Sequence, residues 1–342
     1  MGKKNKKKLG RGMSHLLDGS LSSILDPSGR AVRPQPQQPA PSPLDPVIPV
    51  MDEPILPRPR RLADVRLGVS ARPFDVVSIC SGKGGTGKSV LTSNLGVLLG
   101  ESTRVSVLDA DLGLANIHIL CNLIPDWDIS HVLAGEKHLE EIMVEGPRGM
   151  RIIPGGSGIP ELANLSDGMF EVLFKEVSVL DGLTDLLLVD APSGIDRQAL
   201  LFLLASDQAL VVTTIDITAL TDAYAIIKTT HLHRPALNIM VVVNRAPSHA
   251  EGMDTFHKIS HVARKFLGRE LTLGGVIPFD EAVEESVTSR TPVVLSSPGS
   301  PAARAMAALA SRVGVFHGRS QRAGQPFASR LRRLLASPPL GG

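Results

Sequence analysis

Eight consecutive residues, Gly82-Lys83-Gly84-Gly85-Thr86-Gly87-Lys88-Ser89, carry four glycines, two lysines and two hydroxyls. That combination is suited to holding a polyanion. Glycines without a Cβ let successive backbone N–H groups converge on one phosphate. A following helix start adds its unpaired N–H groups and dipole. The spacing Gly82-x4-Gly87-Lys88-Ser89 is that of a P-loop. In such a loop Lys88 reaches the β- and γ-phosphates and the Ser89 hydroxyl ligates Mg²⁺. Lys83 is a second cation beside the same anion.

Further along the chain, carboxylates end two apolar runs. Val105-Ser-Val-Leu-Asp109 leads into Asp109-Ala110-Asp111, and Asp185-Leu-Leu-Leu-Val-Asp190 leads into Ala191-Pro192-Ser193-Gly194. Carboxylates at the carboxyl ends of neighbouring strands lie where open α/β sheets place their chemistry. Asp190 reads as the aspartate that holds the Mg²⁺ shell. Gly194 reads as the switch glycine whose N–H approaches the γ-phosphate. A later apolar run, Ile239 to Val243, ends in Asn244-Arg245. An Asn side chain there can both donate to and accept from an adenine edge.

Stepping from these residues to what must position them, Val76 to Cys80 is short, apolar and β-branched, as expected of a strand covered on both faces. Ser89 to Leu99 reads as the helix behind the loop. Val105–Asp109, Met150–Pro154, Asp185–Asp190, Gln208–Thr213, Ile239–Val243 and Leu271–Ile277 read as further strands. Helices are expected at Ala219–Thr229, near Asp280–Ser289 and at Ala302–Val313. Strict alternation of strands and helices implies an α/β fold, a doubly wound, mostly parallel sheet of about seven strands covered on both faces. His231 and His233 lie in HLHRP, which reads as a loop.

The form Lys83-Gly-Gly-Thr-Gly-Lys88-Ser resembles the deviant P-loop of the MinD/ParA family of dimerising ATPases. That resemblance implies ATP and Mg²⁺ as cofactors and a homodimer when ATP is bound. Lys83 would cross to the partner subunit's nucleotide, acting in catalysis with Lys88. Asp111 would position the attacking water, and Asp109 would act on the Mg²⁺ shell or on Ser89. Asn244, Arg245 and the backbone around Pro278 would wall the adenine. Asp111-Leu-Gly-Leu-Ala-Asn116, Ile152-Ile-Pro-Gly-Gly-Ser-Gly-Ile-Pro-Glu-Leu-Ala-Asn-Leu165 and Thr218-Ala-Leu-Thr-Asp-Ala-Tyr-Ala-Ile-Ile-Lys228 resemble the FlhG/FleN branch, which sets flagellar number and placement. The switch departs from that branch: DAPSGI has the proline of MinD-like chains. The stretch after the Gln208 strand has Ile215-Asp216-Ile217 where the branch has Pro-Glu-Pro.

The net charge of +2 conceals basic ends. Residues 1–30 open with a lysine run and LGRGMSHLL, which resembles the N-terminal peptide of ParB proteins and is expected to dock a protein partner. Residues 31–71 form a proline-rich linker, with ten prolines between positions 31 and 60. The ATPase domain is expected over 72–316. The basic tail 317–342 contains an amphipathic helix at 326–336, with Phe327, Leu331, Leu334 and Leu335 on one arc flanked by arginines. That is the pattern of an interfacial helix for an anionic membrane. DNA bound without sequence preference is the alternative surface for the basic ends. The two cysteines, Cys80 and Cys121, suit a reduced compartment. Their separation does not suit an iron–sulfur carrier. No apolar run reaches the length of a spanning helix. A cytoplasmic protein, reversibly peripheral at the inner face of the membrane, is the expectation.

Overall fold

The computed structural model describes residues 74–156, 162, 165–319 and 325–336, with side chains 315–319 not described. The readings for 1–71, including the LGRGMSHLL peptide and the linker, lie outside the described residues, as do positions 157–161, 163 and 164 of the glycine-rich stretch after Ile153.

Eight strands form one sheet: β1 Asp75–Cys80, β2 Val105–Asp109, β3 Val144–Glu145, β4 Arg151–Ile153, β5 Leu186–Asp190, β6 Gln208–Thr213, β7 Asn238–Ala246 and β8 Thr272–Pro278. Their order is β3-β4-β2-β5-β1-β6-β7-β8. Every pairing is parallel except β3 with β4. The strand beyond the expected seven is β3, two residues paired antiparallel to β4 at one edge. It carries no hydrophobic periodicity long enough to be read from sequence.

Among the described residues there are twelve α-helices, the last four after the final strand: α1 Lys88–Gly100, α2 Ile117–Leu120, α3 Ile129–Leu133, α4 Leu139–Ile142, α5 Asp167–Val177, α6 Arg197–Ala205, α7 Ile217–His233, α8 His249–Leu267, α9 Glu281–Thr288, α10 Val293–Ser296, α11 Pro301–Arg319 and α12 Phe327–Leu335. The strand period of two divides the core. Val77 and Ile79 of β1 point into a cluster with Leu91 and Leu95 of α1 and Met306 of α11. Val76 faces Phe170, Phe174 and Phe202 of α5 and α6, and Cys80 faces Ile226 and Ile227 of α7. Both cysteine thiols are buried, and desolvation pushes each up to about 12, leaving them as small apolar groups. His231 and His233 are in the last turn of α7, not in a loop. The helix continues to them and ends before Pro235.

The C-terminal helix departs from expectation. Its helical extent is as read, but its apolar stripe is covered by the chain's own core. Phe327 and Leu331 are buried. Leu334 and Leu335 are partly buried against the same cluster. The helix packs on α5 and α6. The Phe327 ring meets the Phe74 ring edge-on at 6.3 Å. The Arg330 guanidinium forks onto the Asp207 carboxylate, which also accepts the Val76 N–H at 2.9 Å. The four residues read as membrane contacts are therefore internal contacts here. A narrow apolar stripe with flanking arginines is equally suited to a groove that offers apolar side chains and one carboxylate. Among the described residues no helix is long and apolar enough to cross a membrane.

Candidate nucleotide site

The P-loop lies between β1 and α1, at the carboxyl end of the central strands. Gly85 and Gly87 take φ of +80° and +83°, the left-handed region that side chains resist. A Cβ at Gly87 would come within 2.4 Å of the Asn244 amide nitrogen. One at Gly82 would strike the Asp222 backbone. Nothing lies within 4 Å of where a Cβ would stand on Gly84 or Gly85, so an anion can come against that backbone directly. Thr86 is buried, with its hydroxyl unpartnered.

Three donors converge on Asp190, which is 1% exposed. The Ser89 hydroxyl donates to Oδ2 at 2.6 Å, and the Lys88 ammonium lies 2.9 Å from the same oxygen. The Thr92 hydroxyl, one turn further along α1, lies 2.9 Å from Oδ1. Lys88 and Asp190 thus neutralise each other in a nearly dry site, where a lone charge would be costly. Next to them, Asp109 is buried, and its Oδ2 accepts the backbone N–H groups of Asn116 and Ile117 at 2.8 and 2.9 Å. Asp109 therefore ties down the start of α2 and does not touch Ser89 here, whose hydroxyl is on Asp190. Its Oδ1 is buried without a partner. Desolvation first, then the Asp190 charge, raises the Asp109 carboxyl to about 7, against the lowering effect of the two N–H groups and Lys88. Asp111 is half-buried. Burial lifts its carboxyl, and Lys88 pulls the other way.

The signature lysine lies at the rim. Lys83 Nζ is 3.1 Å from Asp216 Oδ2 and 3.0 Å from the Thr218 hydroxyl, in an ion pair whose two side chains are each 48% exposed. Asp216 caps α7 through the Thr218 N–H; that bond first, and Lys83 with it, holds the Asp216 carboxyl below its ordinary range. Gly194 has φ of +108°, a conformation side chains resist, and its N–H donates to the Ser81 carbonyl at 2.9 Å. While that bond is made, the N–H is not free for a phosphate.

Asn244, Arg245 and Pro278 come together around a cavity of about 280 Å³ that reaches Gly87 and Val90. The Asn244 amide donates to the Thr86 carbonyl at 2.8 Å, fixing it against the loop. Arg245 takes φ of +56°, its guanidinium 6.0 Å from the Phe279 ring centre. The cavity's largely apolar lining, with Asn244, Arg245, Asp280 and Glu284 as its polar side chains, suits a planar heterocycle beside the phosphate loop.

Thr92, Asp216 and Thr218 were not singled out by sequence reasoning. Thr92 had a signal, since four residues after Lys88 places it on the same face of α1. Asp216 and Thr218 reach Lys83 from 133 and 135 residues away, which no local pattern reveals.

An open phosphate cradle, a buried Lys–Asp–Ser cluster and an apolar slot beside them define a P-loop nucleotide hydrolase. The model of the CobQ/CobB/MinD/ParA nucleotide binding domain matches residues 77–293, and the chain belongs to the MinD/ParA family of ATPases, with ATP and Mg²⁺ as cofactors. The chain is 36% identical over 245 residues to the antiactivator FleN of Pseudomonas aeruginosa, covering 71% of this chain and 88% of that protein. It is also 36% identical over 217 residues to the flagellum site-determining protein YlxH of Helicobacter pylori, covering 63% and 73%. Among solved structures, the septum site-determining protein MinD of Pyrococcus horikoshii, complexed with Mg-ADP, superposes with a TM-score of 0.59 at 29% identity, over 72% of this chain and 98% of that one. The residues present fit the cofactors: the glycine backbone is open to an anion, and Ser89 and Asp190 can hold Mg²⁺, which supplies charge neutralisation at the phosphates when bound.

Proposed function

We propose that this chain is an ATP-dependent dimerising switch that positions or limits a structure at the cell membrane, with flagella as the favoured cargo. Lys88 would bind the β- and γ-phosphates, Ser89 and Asp190 would hold Mg²⁺, with Asp109 behind them, and Asn244, Arg245 and Pro278 would hold the base. Asp111 would orient the attacking water, Lys83 would cross to the partner's nucleotide, and hydrolysis would release the dimer. The similarity to FleN and YlxH supports the flagellar reading.

One observation carries the dimer. The loops around the nucleotide site expose Leu114 (70%), Ile195, Ile215 and Ile217 (71%), each within three residues of Asp111, Gly194 or Asp216. Apolar side chains around an open catalytic face favour a second protein surface over water. Lys83 is held by an exposed ion pair to Asp216, worth about 0.2–1 kcal/mol, and by one exposed hydrogen bond to the Thr218 hydroxyl, so little opposes its transfer to a partner.

In this reading the C-terminal helix leaves its groove to meet an anionic membrane. Two copies in one dimer would then bind more tightly than one. The N-terminal LGRGMSHLL segment would dock a protein partner. The test is co-sedimentation of Asp111→Ala protein, loaded with ATP or ADP, with anionic liposomes and separately with duplex DNA. ATP-dependent liposome binding, lost on removal of residues 326–336, supports the membrane switch. ATP-dependent DNA binding without lipid binding would replace it with a partition ATPase that coats DNA. ATP-bound Asp111→Ala protein that stays monomeric would overturn the dimer reading.

A further inference from the structure

Asp190 has three donors in this structure, and they do not share the same fate when nucleotide binds. Lys88 and Ser89 both act on Oδ2. A P-loop lysine moves to the phosphates and the adjoining hydroxyl oxygen turns to Mg²⁺ when both arrive, so Oδ2 loses its ammonium partner and its serine donor has to serve the metal as well. Thr92 does not move with them. It is fully buried on the second turn of α1, away from the loop, and its hydroxyl lies 2.9 Å from Asp190 Oδ1 and 2.9 Å from the Lys88 carbonyl. One hydroxyl proton serves one of these acceptors at a time. While Lys88 neutralises Asp190, the proton is shared between the carboxylate and the helix carbonyl. Once Lys88 leaves, the carboxylate becomes the stronger acceptor.

We propose that Thr92 is a positioning residue for Mg²⁺: its hydroxyl is the donor that keeps holding Asp190 Oδ1 when Lys88 transfers to the phosphates and the Ser89 oxygen turns to the metal, so that Oδ2 points at the metal shell. The torsion that orients an aspartate carboxylate is broad and roughly two-fold. Packing alone does not fix it, and a directed hydrogen bond does. Outer-shell partners of this kind typically contribute about 10–100-fold to metal affinity. The inference rests on the proposed assignment of Asp190 to the metal shell and is independent of what the dimer binds.

The experiment is calorimetric titration of Mg²⁺ into the full chain holding ADP, with ADP affinity in excess chelator measured alongside. Thr92→Val keeps the shape and removes the hydroxyl. It is expected to raise the Mg²⁺ dissociation constant about tenfold and to change chelator-condition ADP affinity less than about twofold. Thr92→Ser is expected to restore the Mg²⁺ affinity, because it keeps the donor and loses only a methyl. Thr92→Ala tests the same hydroxyl if the valine variant does not fold. Unchanged Mg²⁺ affinity in Thr92→Val or Thr92→Ala overturns the proposal, as does a Thr92→Ser protein that loses Mg²⁺ affinity like Thr92→Val. Asp190→Asn in the same titration separates the two layers. If it leaves Mg²⁺ affinity intact, the Asp190 assignment fails. If it weakens Mg²⁺ while Thr92→Val does not, only the Thr92 role fails.

Discussion

The two ends of the sheet are held in opposite ways. At the carboxyl end, the contacts are polar and exchangeable: Lys88 with Asp190, Ser89 with Asp190, Lys83 with Asp216, and the Gly194 N–H with the Ser81 carbonyl. In the proposed function, each links groups that would find another partner in a bound nucleotide or a facing subunit. At the amino end, α12 closes the molecule with Phe327 and Leu331 buried against Phe74 and the α5–α6 groove, pinned by Arg330 on Asp207. Apolar burial there has no substitute ligand and yields only to another apolar phase. The catalytic end is thus held by exchangeable polar contacts and the amino end by apolar burial.

The contrast can be broken at the catalytic end first. Lys88→Ala is expected to reduce ATP affinity at least about 100-fold, roughly 2.7 kcal/mol. It should also destabilise the nucleotide-free protein, because removing one member of a buried ion pair costs about 3–5 kcal/mol. Equilibrium binding of a fluorescent ATP analogue and urea unfolding measure the two effects. Retained affinity would remove the phosphate assignment. At the other end, Leu331→Ala is expected to cost about 2–5 kcal/mol of whatever holds α12 in place. It should raise protease susceptibility near residue 326 while leaving nucleotide affinity unchanged. A variant as resistant as the parent chain would show that the groove does not hold the helix.

Smaller effects sharpen the comparison. Lys83→Ala is expected to change unfolding free energy by no more than about 1 kcal/mol, since its ion pair is exposed. It should nevertheless abolish ATP-dependent dimerisation in sedimentation velocity. A dimer that persists would remove the crossing role. A pH slope sharpens it from another side. The Asp109 carboxyl titrates at about 7 in the fold, against about 3.9 in an unfolded chain. Between those values the folded protein binds a proton that the unfolded chain has released, so stability falls as pH rises from about 4 to about 7. Asp109→Asn should flatten the melting temperature across that window. An unchanged slope would assign it to other groups.

Much of the catalytic end was legible because its determinants are contiguous. Gly82 to Ser89 is one turn between one strand and one helix, and left-handed glycines followed by Lys–Ser admit few other uses. Asp109 and Asp190 each end an apolar strand and Asn244 lies near the end of another, so period and position put all three on the carboxyl side of the sheet. The contacts made on Lys83 by Asp216 and Thr218 were not legible, because they join strand ends more than 130 residues apart. The bond between Gly194 and Ser81 was hidden for the same reason. The amino end was half legible. The spacing of Phe327, Leu331, Leu334 and Leu335 correctly marked an amphipathic helix. Nothing local could say what would cover the stripe, since a bilayer interface and a protein groove demand the same side-chain pattern.

Taken by itself, the sequence determined the fold class and the place of the glycine-rich loop between the first strand and the first helix, because backbone conformation and strand period are set within short windows. Only the tertiary structure decided how the groups around that loop are occupied before nucleotide arrives: Asp190 shared by Lys88, Ser89 and Thr92, Asp109 spent on the start of α2, and the terminal helix seated between α5 and α6. Those outcomes depend on which distant strand ends are neighbours and on how much water they exclude, and both follow from the order of strands in the sheet.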